Sequence, residues 1–281
     1  MRAHWFDLSV EGLGDLEMTK QAMPALQAEV EHAKRLIASL TPEEWAMPSD
    51  CAGWRVQDVV CHMASVYETI AVPGSLPSDP GGDAERSAEL AIEQRRDWTS
   101  EQVAAAYNEW SEKGVAALAS MQDPPMADMV IPLGNLGNHP MHILGNAIVF
   151  DHYCHMRHDI LEPGGPVRRD PLPQEDATLR AIVDWMLTGL PQMCADGLKV
   201  VDRPLKLVLE GPGASAWTIA PGGDLVTITA GDAGDAAATI RSSAHDFVSW
   251  GTKRRDWRTM EVRIEGDEGY ATAVLEGVNV I

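Results

Sequence analysis

The sequence predicts a mostly α protein, a bundle of long helices in residues 1–198 followed by a smaller α+β domain in residues 199–281. Two observations predict it. Apolar residues recur at helical spacing along several long segments up to about Val200, with charged residues between them. Beyond that point the period shortens to the alternation of strands, broken by Gly-rich turns. A length of 281 residues suits two domains, each with its own core.

Each element has its own signal. Met18, Ala22, Leu26, Val30, Ala33, Leu36, Ile37 and Leu40 mark one face of a helix from Glu17 to Leu40. Thr41, with Glu44 three residues later, forms a capping-box signal for a short helix ending before Pro48. A second long helix begins near Val56 and turns Val59, Val60, Met63, Val66, Tyr67 and Ile70 inward. Residues 74–83, rich in Pro, Gly, Ser and Asp, read as a loop. A third long helix, Glu101 to Met121, carries Val103, Ala106, Tyr107, Trp110, Val115 and Leu118; Trp54 and Trp110 are placed on bundle helices. DPPMADMVIPLGNLGNHP breaks regular structure. A helix from Met141 to Leu161 then ends at EPGGP, and another runs from Glu175 to Met193. In the C-terminal part LKLVLE, WTIA, LVTITA, AATIRS and EVRIEGD read as strands, separated by turns such as GPGAS, PGGD and GDAGD. AHDFVSWGTK and YATAVLEGV read as helical or mixed.

Composition excludes several function classes. A net charge of -20 repels nucleic-acid backbones and anionic membrane surfaces. No apolar run is long enough to span a membrane. The start, MRAHWFDLSVEG, lacks the basic and apolar regions of a secretory leader, which points to the cytoplasm. Cys51, Cys61, Cys154 and Cys194 form no CxxC pair, arguing against a thiolate zinc knuckle. Acid is uneven: residues 201–281 hold 8 basic and 12 acidic side chains, residues 1–200 hold 14 and 30. An anion site is therefore sought in the C-terminal part, where Arg241, Arg254, Arg255 and Arg258 are the candidates.

Histidine carries the chemistry. His62, His139, His142, His152, His155 and His158 are six of the nine, gathered on one expected helix, the segment leading into it and the helix carrying His62. Within FDHYCHMRHDI, Asp151 and His155 are four apart and share a helix face, with His158 at the next step. His152 points about 100° away. His62, Asp151 and His155 are the proposed metal ligands: three N/O donors from two helices leave a position for water or substrate, as in catalytic zinc sites. Imidazole with carboxylate suits Zn or another first-row divalent ion, Zn being the first choice. His158 is a supporting or alternative ligand, and Cys61 and Cys154 turn into packing.

LTPEEWAMPSDCAGWRVQDVVCHMA resembles the N-terminal signature of the mycothiol-dependent maleylpyruvate isomerase family, within the wider DinB-like metalloprotein superfamily. Trp45, Cys51, Gly53, Trp54, Asp58 and His62 match it. FDHYCHMRHDI matches a second signature with Asp151, His155 and Asp159-Ile160, although the family's commoner acidic ligand is Glu. Asp is one methylene shorter, so the metal sits closer to this helix or binds with altered geometry. The resemblance covers residues 16–195 and implies a DinB-like four-helix bundle with the metal between helices. More weakly, ATIRSSAHDFVSWGTKRRDWRTMEVRIEGD resembles a sterol-carrier-protein-like α+β domain.

The resemblance implies an enzyme in which the metal activates a low-molecular-weight thiol such as mycothiol, as co-substrate, for addition to a small, anionic electrophile. Isomerisation or S-transfer follows, with the C-terminal arginines holding carboxylates. Two other readings stay open: metal-bound hydroxide acting without a thiol as hydrolase or lyase, and a non-catalytic metal-binding module.

Overall fold

The computed structural model describes residues 16–231 and 234–281. The opening MRAHWFDLSVEG, the side chain of Met18 and residues 232–233 of the GDAGD turn lie outside the description. The described residues fall into two compact units, Leu16–Ile182 and Val183–Ile281.

The first unit is helical. α1 (Leu16–Ser39) buries Ala22, Leu26, Val30, Ala33, Leu36 and Ile37 along the stripe that its spacing foretells. α2 (Pro42–Ala46) opens on the expected capping box, with Glu44 N–H donating to Thr41 Oγ1 at 3.2 Å and Thr41 N–H to Glu44 Oε2 at 2.9 Å. α3 (Val56–Ala71) buries Val59, Val60, Met63 and Tyr67, whereas Val66 and Ile70 are half-buried. α4 (Ala84–Glu93) was not anticipated; Asp83 caps it by accepting from Arg86 N–H at 2.8 Å. α5 (Ser100–Ser120), capped by Thr99, packs against α3 along most of its length. The closeness of that packing depends on Gly114, where a Cβ would lie 2.3 Å from Tyr67 Cδ1. Glycine costs a helix interior about 0.5–1 kcal/mol, and here it admits a tyrosine ring.

The segment between α5 and α7 differs from the expected pattern in two ways. The stretch expected to be irregular contains a hairpin, β1 (Val130–Pro132) paired antiparallel with β2 (Asn138–Pro140). Its strands are three residues long and each ends in proline, so no strand pattern shows in the sequence. The helix expected from Met141 to Leu161 is in three parts: a 3-10 turn (Met141–Ile143), α6 (Leu144–Cys154) and a π turn (His155–Ile160). The wider winding is visible where Leu161 N–H donates to Met156 O, five residues back, at 3.0 Å. α6 packs on α1 and α5, and nearly all its side chains are buried.

α7 (Asp176–Met193) contains the division between the units. In the second unit a five-stranded sheet is built from β3 (Leu205–Glu210), β4 (Ser215–Pro221), β5 (Val226–Ala230), β6 (Ala238–Ser243) and β7 (Arg263–Gly266). Its order is β5-β4-β3-β6-β7, with β3 and β6 parallel and every other pair antiparallel. Leu205, Leu207 and Leu209 alternate inward beside Ala238 and Ile240. α8 (Ala244–Gly251) and α9 (Glu268–Gly277) pack on the sheet with Phe247, Val248, Val274 and Leu275 buried. The fold is therefore mostly α with a C-terminal sheet, and no helix among the described residues is long and apolar enough to cross a membrane.

Candidate metal centre

α3 carries His62 and α6 carries Asp151, while His155 is the first residue of the π turn. His62 Nε2 lies 3.0 Å from Asp151 Oδ1, and His155 Nε2 lies 3.6 Å from that same oxygen. One donor atom from each residue falls within 4.8 Å of the others. Donors about 2.1 Å from a tetrahedral zinc are separated by roughly 3.4 Å, so the spacing fits a small divalent ion. The side chains of His62, Asp151 and His155 are 13%, 17% and 11% exposed. The cluster is desolvated enough to hold charge and open enough for a small ligand.

His155 is aimed by a neighbour, and an indole flanks both imidazoles. Asp159 Oδ2 lies 2.7 Å from His155 Nδ1, which fixes the proton on Nδ1 and presents Nε2 as a lone pair toward Asp151. The indole of Trp54 lies 5.3 Å from the His62 ring and 6.5 Å from the His155 ring, forming a wall beside both imidazoles. Its Nε1–H donates to Glu89 Oε2 at 2.6 Å, so the unanticipated α4 holds that wall. Trp54 sits in the turn ahead of α3 and not on a helix, because the Cys51–Trp54 turn and the Pro48–Arg55 bridge occupy that stretch.

Burial pushes the carboxyl of Asp151 up, but the electrostatic pull of the His62 and His155 imidazoles and the approach of His152 outweigh it and hold Asp151 well below the usual carboxylate range. Asp151 is thus an ionised acceptor. Among the described residues its buried Oδ2 has no aligned hydrogen-bond partner. An ionised carboxylate with one oxygen among imidazole nitrogens is a donor set suited to a cation.

Beneath the donors the π turn is tied to α1. Arg157 gives two hydrogen bonds to Glu29, at 2.6 and 2.9 Å, and a third to Pro173 O at 2.7 Å, while its guanidinium lies 3.9 Å from the centre of the Tyr153 ring. Burial raises the Glu29 carboxyl, yet the approach of His32 and the bonds and charge of Arg157 bring it below its ordinary value.

His158 is buried in the π turn with its ring centre 6.2 Å from that of Tyr153, outside the converging donor atoms. His139 and His142 are buried as well; His142 Nδ1 lies 3.0 Å from Thr19 Oγ1 and His139 Nε2 lies 2.8 Å from Leu136 O. The arginines belong to the second unit. There Arg241 donates to Glu265 at 2.8 Å, Arg258 pairs with Glu276 and Asp256, and Arg255 Nη1 donates to Arg254 O at 2.8 Å.

Sequence reasoning named three residues without giving them a place at the site: Asp159 as the partner of His155, His152 beside Asp151 Oδ2 at 3.2 Å, and Cys51, whose Sγ lies 3.9 Å from His155 Nδ1. Asp159 was detectable, being four residues beyond His155 as His155 is beyond Asp151. All four cysteines are thiols; Cys61 and Cys154 are buried, and burial raises the Cys61 thiol.

Residues 26–155 match the family described as "Mycothiol maleylpyruvate isomerase N-terminal domain". Among solved structures, a crystal structure of the mycothiol-dependent maleylpyruvate isomerase aligns with a TM-score of 0.55 at 13% identity, covering 84% of this chain and 90% of that one. A histidine-to-alanine mutant of that isomerase aligns with a TM-score of 0.52 at 12% identity over the same shares. No curated protein matches the sequence.

Proposed function

We propose that this protein, whose residues 26–155 match the mycothiol maleylpyruvate isomerase N-terminal domain family, is a divalent-metal enzyme. It activates a low-molecular-weight thiol such as mycothiol for addition to a small electrophile, by isomerisation or S-transfer. The observation that carries the proposal is the convergence of His62 Nε2, Asp151 Oδ1 and His155 Nε2 inside the matched domain. Helices α1, α3, α5 and α6 are assigned as a DinB-like four-helix bundle within residues 1–198, and residues 199–281 as a sterol-carrier-protein-like domain. Zinc is the proposed ion.

A bound divalent ion supplies Lewis acidity, which lowers the pKa of a thiol or water at its open position. The chain does the rest. His62, Asp151 and His155 offer two neutral nitrogens and one anionic oxygen, leaving a cationic site that favours an anionic sulfur. Asp159 keeps the His155 proton on Nδ1 so that Nε2 stays a donor. Trp54 gives the thiol and its electrophile an apolar wall. For an unsaturated diacid with its alkene conjugated to a carbonyl, the thiolate would add to one alkene carbon as the π pair moves onto the carbonyl oxygen as an enolate, the resulting single bond would rotate, and the returning pair would expel the thiolate as the trans double bond forms. Arg241, Arg254, Arg255 and Arg258 are the proposed contacts for carboxylates and His158 a proposed supporting residue; alanine variants separate them by their effect on KM.

The test is turnover of a cis-unsaturated diacid by zinc-loaded protein with and without mycothiol. Turnover that requires the thiol supports the proposal. Equal turnover without it moves the function to metal-hydroxide hydrolysis, and no turnover of any electrophile by loaded protein leaves a binding module.

A further inference from the structure

Asp151 presents two oxygens to two different surroundings. Oδ1 faces His62 and His155; Oδ2 faces away from them, 3.2 Å from Nδ1 of His152. Among the described residues neither Oδ2 nor that Nδ1 has an aligned hydrogen-bond partner, their own approach included, so in a buried setting each is the other's available partner. His152 is fully buried, and its Nε2 lies 3.0 Å from the hydroxyl of Tyr107, itself fully buried on α5. The Tyr67 ring packs edge-on against His152 at 5.0 Å and against Tyr107 at 6.2 Å, locking the imidazole between two helices.

Chemistry gives this chain of groups one direction. An ionised carboxylate only accepts, so His152 donates through Nδ1–H and must accept at Nε2. Tyr107 can supply that proton, because its hydroxyl lies 3.0 Å from Nε2 and a phenol carries its proton at neutral pH. The order is Tyr107 O–H to His152 Nε2, with His152 Nδ1–H left to face Asp151 Oδ2 at 3.2 Å.

We propose that His152, backed by Tyr107, is a positioning residue. It occupies Oδ2, makes Asp151 a one-oxygen ligand, and so preserves the open coordination position that a thiol needs. This rests on the metal reading above and concerns residues that reading does not use. Released from His152, Oδ2 is free to swing toward the ion as a second ligand and close that position.

The experiment is metal binding by wild type, His152→Leu, His152→Asn and Tyr107→Phe, measured by Co(II) titration with the visible spectrum as readout of coordination and circular dichroism as the check on folding. Loss of a group that orients a ligand typically weakens metal affinity about 10–100-fold. His152→Leu is expected to show that loss together with weaker Co(II) absorption from the added oxygen ligand. His152→Asn, whose amide N–H can stand in for Nδ1–H, is expected to recover much of both. Tyr107→Phe keeps the ring packing and removes only the hydroxyl, so it should move in the same direction by a smaller factor even where His152→Leu fails to fold. Wild-type affinity and spectrum in folded Tyr107→Phe and His152→Leu would overturn the role of His152 alone. Absence of Co(II) binding by wild type would overturn the metal reading with it.

Discussion

Replacing Glu29 by leucine leaves Arg157 buried without its carboxylate. The two side chains are 1% and 4% exposed and share two hydrogen bonds, so no water stands ready to replace the lost partner. Among the described residues Arg157 then keeps Pro173 O and the Tyr153 ring. Breaking a buried pair from one side costs about 3–5 kcal/mol, which lowers the melting temperature on the order of 10 °C. Glu29→Leu/Arg157→Met removes both charges and should come back to within about 2 kcal/mol of wild type. Urea denaturation of wild type, Glu29→Leu, Arg157→Met and the double variant forms a double-mutant cycle, with an expected coupling of several kcal/mol. Because Arg157 lies between His155 and Asp159 in the π turn, Glu29→Leu should also weaken metal binding. A single variant that loses less than about 1 kcal/mol, or a double variant as unstable as the sum of the singles, would refute the reasoning.

The same geometry predicts four other outcomes. The Glu29 carboxyl is held below its ordinary value, so the pair's stabilisation is complete above the unfolded value of about 4.3 and is lost as pH falls through the lower folded value; the gap between wild type and Glu29→Leu should be full at pH 7 and narrow only in acid, and a gap widening in acid contradicts the sign. Asp159→Ala should weaken zinc affinity about 10–100-fold with little change in helicity, read by competition with a chromophoric chelator. Gly114→Ala places a Cβ against the Tyr67 ring and should destabilise by about 1–3 kcal/mol in urea, whereas a stabilised variant would show that α3 and α5 separate freely. Thr99→Ala removes the cap of α5 and should cost about 1 kcal/mol by the same measurement.

The elements with long periodic faces were legible in the sequence. The stripe from Ala22 to Ile37, the Thr41 capping box and the alternation in LKLVLE each determine a local conformation from residue order alone. His62, Asp151 and His155 could be proposed together because helical spacing is regular enough to carry a side chain onto a face. The features that escaped did so for physical reasons. α4 is short and buries only Ala91 and Ile92, so its apolar signal is thin. The hairpin is pinned by pairing, not by pattern, and its prolines argue against strands. The π turn changes the winding without changing composition, so an α-helical wheel misplaces the side chains beyond His155. Trp54 and His152 matter through contacts made across 35 and 45 residues of chain, to Glu89 and Tyr107, which no local period encodes.

Metal content of protein purified without a metal-affinity column tests the central claim most directly, with wild type measured beside His62→Ala, Asp151→Ala and His155→Ala by inductively coupled plasma mass spectrometry. Near-stoichiometric zinc or another first-row divalent ion in wild type, lost in each variant while the helical circular dichroism persists, is the expected result. Wild type that takes up no ion even after reconstitution, or His62→Ala that keeps full occupancy, would contradict the assignment of these three side chains as a metal centre.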